Sequence, residues 1–141
     1  MIGILMFCHG SMGEGMRDAA ELILGPQERL SVIRIGPGDG RDEAMASLGR
    51  ALEDLDDGDG VLVLADVRGG TPFNLVSALV LSGEHRREIE MVSGFSLPAL
   101  LRALVRRGDA SSPAALAREV TEHGRRHLAP LAEHAPPRKE A

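Results

Sequence analysis

The sequence has 141 residues, of which 43% are hydrophobic and 26% are charged, and this balance is typical of one folded domain rather than a disordered chain. A net charge of −5, together with the absence of Trp and Tyr and the presence of only three Phe, argues against a nucleic-acid-binding surface. No apolar stretch approaches the roughly 20 residues needed to cross a bilayer, and the N-terminus lacks the basic region of a signal peptide, so we expect a cytoplasmic protein without membrane insertion.

The first half of the sequence alternates apolar runs with helical patterns. An apolar run at residues 2–7 predicts a buried strand that leads directly into a loop containing His9. Apolar residues spaced three and four apart predict helices at 13–24 and 42–55. A run rich in β-branched residues between these helices predicts a second strand at 30–35.

The second half of the sequence continues the alternation. The continuously apolar run at 61–65 predicts a central parallel strand that ends at Asp66. Thr71 followed by Pro72 predicts the N-cap and first position of a helix at 73–81. The remaining predicted elements are one strand and two helices, at 88–92, 97–107 and 113–126.

Four successive strand–helix units and one further helix predict a doubly wound α/β fold, with helices on both faces of a parallel sheet. With a flavodoxin-like order, 2-1-3-4, ligands bind where the carboxyl ends of the first and third strands meet. His9 follows the first strand and Asp66 ends the third, so the topology predicts that they lie close together. We expect residues 1–133 to form one domain and residues 134–141 a flexible tail.

The residues at this edge of the sheet predict a particular chemistry. Free N–H groups at the helix N-terminus after His9 favour an anion, and Gly10 allows the backbone to approach a ligand closely. Asp66 can accept a hydrogen bond from one imidazole nitrogen, which fixes the tautomer and leaves the other nitrogen as a nucleophile. A second helix N-terminus follows residues 69–71. We therefore expect a nucleophilic imidazole, an orienting carboxylate and a cradle for a transferred phosphoryl group.

Three blocks of sequence lie at the ends of predicted strands. They are F-C-H-G-S at 7–11, V-L-V-L-A-D-V-R-G-G-T-P-F-N at 61–74 and V-S-G-F-S-L-P-A-L-L at 92–101. Together they resemble the mannose-family IIA component of the bacterial phosphoenolpyruvate:sugar phosphotransferase system. The resemblance extends in order and spacing over residues 2–127, and D-x-x-G-G-[ST]-P-x-N is its most specific part.

The resemblance implies a phosphoryl carrier with a flavodoxin-like fold and no metal or other cofactor. His9 matches the histidine that accepts the phosphoryl group from the carrier HPr, and the group then passes to a IIB component. Asp66 matches the aspartate that orients this histidine, and Thr71 falls where the family has Ser or Thr near the phosphoryl group. The other candidates for phosphoryl binding are Gly10, Ser11, Arg68, Gly69 and Gly70.

Two features depart from the family pattern. Arg68 stands where bulky neutral residues are frequent, and it can add positive charge beside the phosphoryl group or bind a partner. The family dimerises by exchanging a C-terminal antiparallel edge strand, so the resemblance implies a homodimer. The corresponding segment at 127–132 contains Pro130, which lacks a ladder donor and is tolerated only on an edge strand. This leaves the edge strand, and the mode of dimerisation, open.

Other functions remain alternatives. The phosphotransfer subunit of dihydroxyacetone kinase has a similar domain, and within the sugar system the role can be uptake or regulation. A histidine phosphatase also has His-Gly after a first strand, but with Arg at the position of Cys8 and a second active-site His. A tetrapyrrole chelatase would leave the block at 66–74 unexplained. A flavodoxin-like binding module would have only Phe7, Phe73 and Phe95 to contact a flavin.

Several other residues receive structural interpretations. The single Cys excludes an internal disulfide, and Cys8 is expected to be a small buried hydrophobe. Asn74, in the first turn of its helix, is expected to be structural, with contact to the site as the alternative. His123 and His127 are expected on a solvated helix face rather than in a metal site. The arginine pairs at 86–87, 106–107 and 125–126 are expected at exposed helix ends.

Overall fold

Four strands form the centre of the protein. They are β1 (Gly3–His9), β2 (Leu30–Ile35), β3 (Val61–Ala65) and β4 (Ile89–Ser93). In the computed structural model, which describes residues 1–134, these strands pair in parallel in the order β2-β1-β3-β4. The predicted α/β fold and strand order are confirmed, and the order places β1 and β3 side by side.

Two layers of helices cover the sheet because alternate residues of its central strands face opposite sides. Met6 and Cys8 of β1 belong to the core on one face, whereas Leu5 and Phe7 belong to the core on the other. Within residues 1–134 the helices are α1 (Met12–Leu24), α2 (Arg41–Leu55), α3 (Thr71–Ser82), α4 (Leu97–Arg106), α5 (Pro113–His127) and α6 (Leu131–His134). The first face is covered by α1, α4 and α5, and the second by α2 and α3.

The ends of two elements differ from the sequence prediction near the expected site. β1 extends to His9, which pairs with Ile35 of β2, so His9 is the last residue of a strand rather than a loop residue. The prediction of Thr71 as N-cap was wrong. Gly70 occupies that position, because its backbone is extended and its carbonyl accepts the N–H of Asn74 at 2.9 Å.

The possible C-terminal edge strand is not formed within residues 1–134. The segment after α5 turns at Pro130, whose carbonyl accepts the N–H of Glu133 at 3.0 Å as α6 begins. On the outer edge of β4, the main-chain N–H of Met91 donates to the carboxylate of Glu90 at 2.8 Å. Of the predicted flexible tail, only His134 lies within the described residues. No helix in the described part of the chain is long and apolar enough to span a membrane.

The prediction that Arg106 and Arg107 form an exposed helix end is wrong for Arg107. The residue is 4% exposed, and its guanidinium donates hydrogen bonds to the carbonyl oxygens of Glu28 and Arg29, at 2.7 and 3.0 Å. Arg107 thus supplies donors to both carbonyls, and that of Arg29 also accepts the N–H of Ile4 of β1 at 3.0 Å. Arg107 thereby fixes the connection between α1 and β2.

Cys8 and the two histidines of α5 also have defined surroundings. Cys8 is fully buried, as predicted, and burial raises the pKa of its thiol to about 12. His123 is half-buried and accepts a hydrogen bond from Arg102 at 2.9 Å, so it is not the solvated residue expected. Burial and the neighbouring Arg102 lower the pKa of His123. His127 is exposed.

A pair of glycines in α1 tests how closely this helix packs on the sheet. A Cβ at buried Gly13 would lie 2.5 Å from Cγ1 of Val32, whereas a Cβ at exposed Gly15 would contact nothing within 4 Å. Gly13→Ala should therefore lower the free energy of unfolding by about 1–3 kcal/mol through overpacking. Gly15→Ala should raise it by about 0.5–1 kcal/mol, since Ala favours a helix. Urea denaturation measures both, and equal changes in the two variants would contradict this packing.

Candidate active site

Adjacent strand ends bring His9 and Asp66 into contact. β1 and β3 pair in parallel with Phe7 opposite Ala65, so both chains leave the sheet at the same edge. Nδ1 of His9 lies 2.9 Å from Oδ2 of Asp66. The same oxygen accepts the main-chain N–H of His9 at 2.7 Å. The sequence-based expectation that these residues lie close together agrees with this geometry.

Asp66 is held as a buried carboxylate. Its side chain is 5% exposed, and Oδ1 accepts the main-chain N–H of Val67 at 2.8 Å. Burial opposes ionisation, but the hydrogen bonds from His9 and Val67 outweigh it and hold the pKa of Asp66 below its ordinary value. An ionised carboxylate can only accept hydrogen bonds. Nδ1 of His9 is therefore the donor in this hydrogen bond, and in the neutral tautomer that makes it the free electron pair lies on Nε2.

Gly70 lies against the other edge of the imidazole. A Cβ at Gly70 would be 2.9 Å from Cε1 of His9 and 3.7 Å from Nε2, so a side chain here would meet the ring. The N–H of Gly70 donates to the carbonyl of Val67 at 3.3 Å, and the turn between them contains Gly69 at φ +82°. The His9 side chain remains 49% exposed. The ring is thus fixed by Asp66 and confined by Gly70, yet it is open to solvent.

The other predicted site residues surround this group without bonding to the ring. Gly10 has φ +56° and donates its N–H to the carbonyl of Ile35 at 2.8 Å. Ser11 is the N-cap of α1, and its side chain makes no capping bond. Ser11, Arg68 and Thr71 are exposed, and within residues 1–134 no hydrogen bond joins their side chains to His9. Their phosphoryl-binding roles remain predictions.

Two further contributors support this geometry, of which the main-chain donors to Asp66 were not predicted and Asn74 was expected to be structural. One is the pair of main-chain N–H groups, from His9 and Val67, that bind the Asp66 carboxylate. The other is Asn74, whose side-chain amide donates to the carbonyl of Gly69 at 3.1 Å. Asn side chains commonly bond to nearby main-chain groups, so an Asn one turn after a Gly-Gly pair is a signal that could have indicated this contact.

Gly70→Ala tests the confinement of the ring. Gly70 has φ −74°, which Ala adopts without strain, so the new methyl group should act on His9 rather than on the backbone. We expect the ring to move and its bond to Asp66 to weaken, which imidazole ¹⁵N chemical shifts would detect. Gly40→Ala is the matched control, because Gly40 is the N-cap of α2 with φ −73° and has open space at its Cβ. Unchanged ring shifts in Gly70→Ala would contradict the close contact.

The lowered pKa of Asp66 predicts a pH-dependent stability. A carboxyl group whose pKa is lower in the folded than in the unfolded state stabilises the fold fully above the unfolded pKa, about 4, and loses this effect as pH falls through the folded pKa. Wild type should therefore exceed Asp66→Asn in free energy of unfolding at about pH 5, and the excess should shrink toward about pH 3. Urea denaturation across this range measures the difference. An excess that grows with acidity would contradict the assignment.

Residues 3–120 of the chain match the family model described as the PTS system fructose IIA component. The mannose-specific EIIAB component of Escherichia coli (strain K12) is 35% identical over 124 residues, which cover 88% of this chain and 38% of that protein. The fructose-specific EIIA component of Bacillus subtilis (strain 168) is 27% identical over 104 residues, covering 74% of this chain and 69% of that protein.

Solved structures of IIA components also match this chain. The crystal structure of phosphotransferase system component EIIA from Streptococcus agalactiae matches with a TM-score of 0.84 and 30% identity, covering 94% of this chain and 98% of that chain. A mannose/sorbose-specific IIA subunit from Enterococcus faecalis matches with a TM-score of 0.79 and 25% identity, covering 92% of this chain and 94% of that chain. This chain spans 38% of the length of the EIIAB relative. Since the family model covers most of the chain, the chain belongs to the EIIA-man family, the IIA components of the phosphotransferase system.

Proposed function

We propose that this chain is a phosphoryl carrier of the sugar phosphotransferase system, in which His9 accepts a phosphoryl group from HPr and passes it to a IIB component. The observation that carries this proposal is the 2.9 Å contact between Nδ1 of His9 and the buried Asp66 carboxylate, on a ring that is half exposed. Membership of the EIIA-man family supports the phosphotransfer class.

Asp66 prepares His9 as a nucleophile. Because the carboxylate holds the proton on Nδ1, the electron pair of Nε2 attacks phosphorus. A bond forms between Nε2 and phosphorus as the bond between phosphorus and its leaving group on HPr breaks, and the leaving group keeps the electron pair. The ring then bears a positive charge with its Nδ1 proton still bonded to Asp66, so one carboxylate stabilises both states of the carrier. Transfer to the IIB component reverses these steps.

The N-terminus of α3 supplies the proposed phosphoryl cradle. The N-terminus of a helix favours an anion through its dipole and its first main-chain N–H groups, and Gly70 brings this end of α3 against the imidazole. The absence of a Cβ at Gly70 leaves room beside Nε2. We assign phosphoryl contacts to the main chain of Gly10, Gly69 and Gly70, to the hydroxyl groups of Ser11 and Thr71, and to the guanidinium of Arg68.

The partners and setting follow from the proposed role. The donor is HPr, the acceptor is a IIB component, and the site of action is the cytoplasm. The identity of the acceptor decides between sugar uptake, regulation and a dihydroxyacetone-kinase-type system, because all three use the same histidine chemistry. The implied homodimer and the exchange of an edge strand from residues 127–132 both remain predictions; in the single chain this segment contains the end of α5, a turn and the start of α6.

Intact mass after incubation with phosphoenolpyruvate, Enzyme I and HPr tests the proposal. Wild type should gain one acid-labile phosphoryl group, and His9→Ala should gain none. His127→Ala is the control, because His127 is exposed on another element and should leave labelling unchanged. Labelling of His9→Ala, or no labelling of wild type by active HPr, would contradict the proposal.

Asp66→Asn tests whether Asp66 orients the ring of His9, because the variant still has the nitrogen to which the phosphoryl group is attached. The variant should still gain the phosphoryl group, because Nε2 is present, but up to about 10⁴-fold more slowly, as when Asn replaces the orienting Asp of a catalytic imidazole. Quenched-flow labelling measures the rate, and circular dichroism checks that the variant is folded. A rate equal to that of wild type would remove Asp66 from the mechanism.

A further inference from the structure

We infer that Asn74 is a positioning residue for His9, acting through the turn at residues 67–70. This inference rests on the proposed carrier function for its kinetic consequence, although its structural consequence does not. Asn74 lies in the first turn of α3, and its side-chain amide donates to the carbonyl of Gly69 at 3.1 Å. Gly69 immediately precedes the residue that lies against the imidazole.

The hydrogen bond of Asn74 serves the turn rather than the helix. The first turn of a helix has N–H groups in need of acceptors, and a capping side chain supplies an acceptor. Asn74 does the opposite, since its side chain donates to a carbonyl that precedes the N-cap. Its own main-chain N–H is already satisfied by the carbonyl of Gly70 at 2.9 Å. The side-chain bond is therefore an additional tie between α3 and the turn.

This tie holds Gly70 against His9. The turn has one internal bond, from the N–H of Gly70 to the carbonyl of Val67, and at 3.3 Å it is long. Gly69, at φ +82°, gives the backbone freedom at the centre of the turn. The bond from Asn74 fixes the peptide between Gly69 and Gly70 to α3. Without it, Gly70 can withdraw, and the half-exposed ring of His9 gains room to rotate away from Asp66.

Two substitutions of Asn74 test this inference, because each removes the donor in a different way. Asn74→Ala removes the amide, and Asn74→Asp keeps its shape but replaces the donor with an acceptor. An Asp in the first turn of α3 favours the helix dipole, so Asn74→Asp should remain folded. Ser82→Ala is the matched control, because Ser82 makes a side-chain bond to the carbonyl of Leu79 at the far end of the same helix.

Imidazole ¹⁵N spectra of the unphosphorylated proteins give the first readout. In both Asn74 variants the Nδ1 and Nε2 shifts of His9 should move toward those of a tautomer mixture, while Ser82→Ala should match wild type. In the phosphotransfer assay both variants should then show a rate about 10- to 100-fold lower, because the reacting ring is misplaced, with labelling still confined to His9. A loss of rate in Asn74→Asp alone would indicate charge repulsion of the phosphoryl group and overturn the inference.

The two readouts separate this inference from the proposed function. Wild-type ring shifts in both Asn74 variants would overturn the positioning role, whatever the transfer rates. Altered ring shifts support it even where wild type accepts no phosphoryl group from HPr, an outcome that would refute the carrier function alone. Equal shift changes in Ser82→Ala would show that any loss of a side-chain bond on α3 disturbs the ring, and would also overturn the inference.

Discussion

The site depends on one buried carboxylate, that of Asp66. The carboxylate is nearly inaccessible to water, and it remains ionised because three N–H groups, two from His9 and one from Val67, donate to it. Parallel pairing of β1 and β3 makes this possible, since it brings the ends of both strands to the same edge. A change in strand order would separate His9 from Asp66, so the chemistry rests on the topology of the sheet.

Close packing of backbone on both sides of His9 gives the site its shape. After β1 the chain enters α1, whose first turn approaches β2 so closely that Gly13 has no room for a side chain. Across the site, Gly70 brings the N-terminus of α3 to the imidazole. These two glycines differ from Gly10 and Gly69, which are needed for their positive φ angles. Two helix N-termini therefore lie beside one histidine, an arrangement that favours a transferred anion.

The sequence predicted the elements of the fold well where a single periodicity governs them. The bounds of β2 and β3 agree with prediction, because a continuous apolar or β-branched run ends abruptly at polar residues or glycine. The contact of His9 with Asp66 followed from topology. The N-cap was misplaced at Thr71, because the extended backbone of Gly70 cannot be inferred from a propensity that favours hydroxyl side chains. The burial of Arg107 depends on carbonyls far away in sequence, which local patterns do not indicate.

In the proposed carrier, Asp66 holds the proton on Nδ1 of His9 and so directs the phosphoryl group to Nε2. ¹⁵N and ³¹P NMR spectroscopy of the protein, labelled with ¹⁵N-histidine and phosphorylated through HPr, would identify the nitrogen that carries the group. We expect a phosphorus coupling to Nε2 of His9 and a proton retained on Nδ1. A phosphoryl group on Nδ1, or on a residue other than His9, would contradict this mechanism.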